Sequence, residues 1–151
     1  MVEVNTPGES EPDVYVNAHR MRVVSSDIIR IWWIGRCTRE DFNRVFEYSE
    51  RRMESRRHFV LADFSQLKTI DADARKQASE DPRIHLIAGL AVIGTTFHTR
   101  VLLDLLMKAV EIFQPGKQGR TRFFATEQQA FAWIAEERER LGLGATKSHQ
   151  G

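Results

Sequence analysis

Two short apolar runs, Phe59-Val60-Leu61-Ala62 and Leu90-Ala91-Val92-Ile93, do most to restrict what this chain can fold into. Continuous apolar runs of this length suit central strands covered on both faces, the pattern of a parallel sheet. Helical segments flank them. Ahead of the first, Thr38 is placed to cap a helix with Glu40 and Asp41 in its first turn, and Phe42, Val45, Phe46, Ser49 and Met53 recur at helical spacing. After the second, Gly94-Thr95-Thr96 turns the chain into a helix. That helix carries Phe97, Val101, Leu102, Leu105, Leu106, Ala109, Val110 and Phe113 at helical spacing, with Leu103 and Met107 extending the stripe onto its flank.

The remaining segments complete the alternation. Residues 21–24 and 28–34 are rich in β-branched and aromatic residues, and Ser25-Ser26-Asp27 between them is turn chemistry, which predicts a hairpin. Gly35 is expected to break its second strand. Asp71 is placed to cap a helix through Ala72, Ala74 and Ala78 that ends at Asp81-Pro82, with a further helical turn near residues 84–87. Pro115-Gly116 ends the long helix and residues 121–125 supply a last strand. Thr126 with Gln129 forms a capping box ahead of Phe131, Trp133, Ile134 and Leu141. The order β-β-α-β-α-β-α-β-α predicts one α/β domain over residues 18–141, its sheet mostly parallel with an antiparallel edge hairpin. Residues 1–17 read as a disordered N-terminal tail and 142–151 as a flexible C-terminal one.

At 151 residues and 42% apolar content the chain can bury one core. The 22 basic and 21 acidic residues leave a net charge of +1, so no global field draws it to nucleic acid or to an anionic bilayer. Cys37 stands alone and suits a reducing, cytoplasmic setting. Residues 1–17 have neither a basic nor an apolar signal region, and the longest apolar stretch is far below the roughly 20 residues of a membrane-spanning helix.

Catalytic and metal signatures are not visible. The five histidines are scattered, Cys37 has no signature around it, and no Gly-x-Ser-x-Gly elbow occurs. The reading is therefore of a protein that is not an enzyme and needs neither cofactor nor metal. Gly116-Lys117-Gln118-Gly119-Arg120 follows a helix rather than a strand, unlike a phosphate loop. Gly94, Thr95 and Thr96, with Arg100 one turn in, are better placed for a small anion because they open a helix after a strand. They also read as a plain capped turn. Leu103 and Met107 fit the core and a dimer or lipid contact equally well.

Residues 60–74 add a resemblance. Val60-Leu61-Ala62-Asp63-Phe64-Ser65-Gln66-Leu67 followed by Ile70-Asp71-Ala72-Asp73-Ala74 resembles the strand, loop and helix start of STAS domains. Residues 19–141 as a whole look like the STAS-like bacterial proteins grouped with anti-sigma-factor antagonists and, by fold, with CRAL-TRIO lipid-transfer domains. Later marks are Ala91-Val92-Ile93-Gly94 leading into Phe97-His98-Thr99-Arg100, and Arg122-Phe123-Phe124-Ala125-Thr126-Glu127 leading into Ala132-Trp133-Ile134. The resemblance implies helices mainly on one face of a mixed sheet, and a protein-interaction role through a loop bearing Asp63, Ser65, Asp71 and Asp73. In antagonists of this type a regulatory serine opens the helix, as Asp-Ser-Ser-Gly. Here Asp71-Ala72-Asp73-Ala74 stands in that place, so Asp73 occupies the acceptor position and the hydroxyl is missing. Two expectations follow: a regulatory module that binds a protein partner or itself, or a binder of a lipid or small anionic ligand with an apolar pocket beside the long helix.

Overall fold

The computed structural model describes residues 11–143. Residues 1–10 and 144–151, most of the two expected tails, lie outside the described residues. The elements are β1 (Val14–Val16), β2 (His19–Ser25), β3 (Ile28–Cys37), α1 (Arg39–Arg52), β4 (His58–Ile70) and α2 (Ala72–Glu80). A 3₁₀ turn (Pro82–Leu86) leads into β5 (Ile87–Ile93), α3 (Phe97–Phe113), β6 (Arg120–Phe124) and α4 (Glu127–Arg140).

The six strands lie side by side in chain order, antiparallel from β1 to β3 and parallel from β3 to β6. Crossovers between adjacent parallel strands share one hand, so successive connecting helices land on the same face. Accordingly α1, α2 and α3 cover one face, meeting Ile29, Ile31 and Trp33 of β3 and Val60, Ala62 and Phe64 of β4. The last helix, α4, closes on the other face, where Ala130, Trp133 and Ile134 pack on Phe59, Leu61, Ala91 and Ile93. Both apolar runs are thus covered on both sides, and the α/β class, mixed sheet, antiparallel edge and one-sided helices all hold.

Four details differ from expectation. β1 falls inside the expected N-terminal tail; Asp13 at its start bonds Arg20 and Arg22 of β2, and Val16 is buried. Gly35 bends β3 instead of ending it. It sits at φ +76°, beside a register irregularity, and the strand runs on to Cys37. As a result the expected loop after Asp63 is a strand: β4 continues to Ile70 against β3, pairing Ile34 with Gln66, Gly35 with Leu67 and Cys37 with Ile70. The bulges spoil the period-two alternation by which such a strand would be recognised.

The fourth difference concerns α3, where Phe97, Val101, Leu105 and Phe113 of the apolar stripe are exposed, while the even choice for Leu103 and Met107 falls to the core. Leu103 is buried in the core and Met107 is half-buried against it, so neither forms an exposed patch. The outward apolar residues are Phe97, Val101, Leu105, Ile112 and Phe113, of which Phe97 is 86% exposed. In a helix this apolar, spacing alone does not choose the inner half. At its start Thr96 and Thr99 cap each other, and Thr99 is buried on the inner side with Leu102, Leu103, Leu106 and Val110.

Candidate functional site

Between the sheet and its three-helix layer lies an apolar cavity of about 70 Å³. Ile31, Trp33, Val60 and Ala62 form its floor. Phe42, Val45 and Phe46 of α1 form one wall, Ala78 of α2 another, and Leu103, Leu106 and Met107 of α3 a third. A water needs only about 10–15 Å³ of such space, together with two or more polar partners. This lining offers few, and Glu50, Arg83, Ser49 and His58 are its main polar members. Arg83 is engaged, bonding Asp81 and Asn43. The space is of the kind that stays dry and receives apolar groups.

Two titratable groups in the lining are held neutral. His58 lies buried with Nδ1 3.0 Å from the Arg56 carbonyl oxygen, and burial holds its pKa below the ordinary value. Burial, with the charges of Asp41 and Asp71, pushes the Cys37 thiol far up, which removes the thiolate that nucleophilic chemistry needs.

Beside the cavity, His19, Cys37 and Asp41 bring one ligand atom each within 4.8 Å of one another. Sequence spacing did not show this cluster, because its members sit on β2, the end of β3 and the start of α1. Its bonds are already assigned. His19 Nδ1 accepts the Ile34 N–H at 3.0 Å, which leaves Nε2 to donate to Asp41 at 3.0 Å. Asp41 also accepts from Asn17 and the Thr38 N–H. Burial alone would raise the Asp41 pKa, but the bonds from Thr38, Asn17 and His19 outweigh it and hold the carboxylate low. The cluster pins the start of α1 to β2, and a metal ion would have to displace these bonds.

The sequence-predicted residues fall into three groups. Asp63, Ser65 and Gly94 come together: the Ser65 N–H donates to Asp63 Oδ1 at 2.9 Å, and a Cβ on Gly94 would stand 2.8 Å from that oxygen. Asp71 and Asp73 sit apart, beyond the far end of β4. Asp71 occupies the N-cap position of α2 without capping it, because its carboxylate takes Arg36 through Nε at 2.9 Å and Nη2 at 2.7 Å. This ion pair lowers its pKa. Asp73 is exposed in the first turn of α2. At the start of α3 the Thr96 hydroxyl accepts the Thr99 N–H, while the Arg100 guanidinium lies 3.6 Å from the Phe123 ring centroid. Thr95 is half-buried.

A six-stranded sheet in chain order with α1–α3 layered on one face defines the class, an α/β domain built like a STAS module. The chain belongs to the SpoIIAA-like family, whose model matches residues 28–135. Two solved structures resemble it. One is an uncharacterised Shewanella loihica PV-4 protein with a SpoIIAA-like fold, at TM-score 0.50 and 16% identity, covering 89% of this chain and 99% of that one. The other is the anti-sigma factor antagonist SpoIIAA in its unphosphorylated form, at TM-score 0.53 and 10% identity, covering 78% and 98%. At these identities the likeness is one of fold. The curated proteins include no match. Among the described residues no helix is long and apolar enough to cross a membrane.

Proposed function

We propose that this chain is a non-enzymatic, cytoplasmic STAS-type module that takes a small apolar molecule or the end of an acyl chain into the cavity between its sheet and α1–α3. The observation that carries this reading is the cavity itself, about 70 Å³ of apolar space where a close-packed interior leaves few voids larger than a water. Native mass spectrometry of the purified full chain, with thermal-shift titration of a fatty-acid series, tests it. A co-purified mass or a saturable rise in Tm is expected. A bare mass and an unmoved Tm throughout the series would refute it.

A second reading, docking of a protein partner at the start of α2, is favoured by one observation: Asp73 is exposed at the position where the family resemblance puts a regulatory serine. A fixed carboxylate there cannot be switched by phosphorylation, so docking would be constitutive. Asp73→Arg should abolish capture of the partner from a lysate. Equal capture by both proteins would exclude this surface.

A further inference from the structure

On the face opposite the cavity, the packing described for α4 is with β4 to β6, and the β1–β3 half is lined by arginines. Register places Arg20 opposite Trp32 and Arg22 opposite Arg30. The guanidinium carbons of Arg20 and Arg30 each lie 4.2 Å from the Trp32 ring centroid, and that of Arg22 lies 5.1 Å away. Arg20 and Arg22 are partly exposed and matched by Asp13.

Arg30 is different. Its side chain is only 8% exposed, and its one aligned hydrogen bond is a long contact of 3.4 Å from Nη2 to Asp63 Oδ2. Nη1 lies 2.8 Å from Glu127 Oε2 but is not aligned with it, and both Nη1 and Nε are left without a hydrogen bond. A buried guanidinium with idle donors is costly, and it is suited to a planar or tetrahedral oxyanion.

Arg30 also points at a favourable place. Glu127 is the first residue of α4, a helix of 14 residues, so the ion pair ties the guanidinium to the residue that opens this helix. β5 and β6 end beside it at Ile93 and Phe124, which pair with each other, and Ile93 pairs with Asp63. The Glu127 side chain is 50% exposed, so its carboxylate borders solvent.

We infer that Arg30 and the first turn of α4 form a binding site for the phosphate or carboxylate group of a small molecule, and that Glu127 fills this site until an anion displaces it. Asp63 stays in place. One of its oxygens accepts the Ser65 N–H and the other holds Arg30 from behind. Burial disfavours the charge on Arg30, and Glu127 and Asp63 offset it only in part, so an anion replacing Glu127 would supply the same compensation. The site is on the opposite face from the cavity and stands or falls independently of it.

The test is NMR of the Arg30 Nε–H in the full chain, titrated with inorganic phosphate or acetate at constant ionic strength, with chloride as control. Wild type should show a saturable shift with at least one of the two anions, and the anion that binds more tightly identifies the group recognised. Glu127→Gln removes the competing carboxylate and should tighten binding by about tenfold. Arg30→Met should abolish binding, as read from anion-induced backbone shifts at residues 126–128, with its Tm recorded to confirm folding. No saturable shift in wild type and Glu127→Gln would overturn the inference. Equal affinity in those two proteins would do so as well, and that comparison decides the matter if Arg30→Met does not fold.

Discussion

Filling the cavity from α2 should stabilise the fold and remove its binding capacity together. Ala78 is fully buried and lines the cavity. Leucine there adds three carbons, each worth about 0.8 kcal/mol when taken out of water. The gain has a ceiling, because a void of about 70 Å³ at roughly 24 cal/mol per Å³ represents only about 1.7 kcal/mol. Fixing the leucine rotamer costs about 0.5–1 kcal/mol. The expected net is close to 1 kcal/mol, a rise in Tm of about 2–4 °C for a chain of this size. Ala91→Leu is the internal control. Ala91 is equally buried but faces α4 and does not line the cavity, so overpacking should destabilise by about 1–3 kcal/mol. Thermal and urea denaturation of the two variants, with fatty-acid titration of Ala78→Leu, reads both effects. The reasoning fails if Ala78→Leu lowers Tm as Ala91→Leu does. The assignment of the ligand to the cavity fails if Ala78→Leu is stabilised and still responds to fatty acids as wild type does.

Three further outcomes are expected. Leu103→Ala should cost about 2–5 kcal/mol in urea unfolding, whereas Leu105→Ser on the outer face of α3 should stay within about 0.5 kcal/mol, which separates the inner from the outer stripe. Gly94→Ala should destabilise by more than about 1 kcal/mol, since φ +74° disfavours an L side chain and the new Cβ meets Asp63 and the Ser65 backbone; an unchanged urea midpoint would contradict that geometry. For His58 the folded pKa lies below the ordinary 6.5, so between those two values the unfolded chain binds more protons and stability falls as pH drops. His58→Gln should flatten the urea midpoint between pH 7.5 and the folded pKa relative to wild type, and identical slopes would show that His58 is not the group responsible.

The parts of the fold legible in sequence were those in which local pattern and tertiary burial agree. Residues 59–62 and 90–93 are apolar on both faces because both faces are covered, Thr38 caps α1 as read, and the Thr126 capping box formed as read. Where two signals competed, pattern failed. Gly35 carries the strongest local breaking signal in its segment, yet cross-strand pairing with β4 carries β3 past it. Asp71 has the right residue type and place for a cap, but Arg36 lies across the sheet within reach and offers a bidentate partner. The candidate sites were less legible still, because their members are distant in sequence. Arg30 sits 33 positions from Asp63 and, in sequence, looks like one polar residue in an apolar strand. Only the register of β2, β3 and β4 shows that it is buried with idle donors.

Topology accounts for why one small domain carries two separate candidate sites. Strands laid down in chain order with crossovers of one hand must put every connecting helix on the same side, here α1, α2 and α3. Three helices lying across a twisted sheet do not meet it evenly. The space left under them is bounded by Trp33 and Phe42 on one side and Leu103 and Leu106 on the other, and mostly apolar residues reach it. The opposite face receives a single helix, and a cylinder about 10–12 Å across covers two or three strands at a spacing of about 4.8 Å. α4 accordingly buries β4 to β6 together with Ile28 at the start of β3, and the rest of the β1–β3 half carries Arg20, Arg22 and Arg30 gathered around Trp32. An apolar void and a charged platform therefore arise from the same strand order, which is why a mutation at Ala78 should leave anion binding at Arg30 untouched.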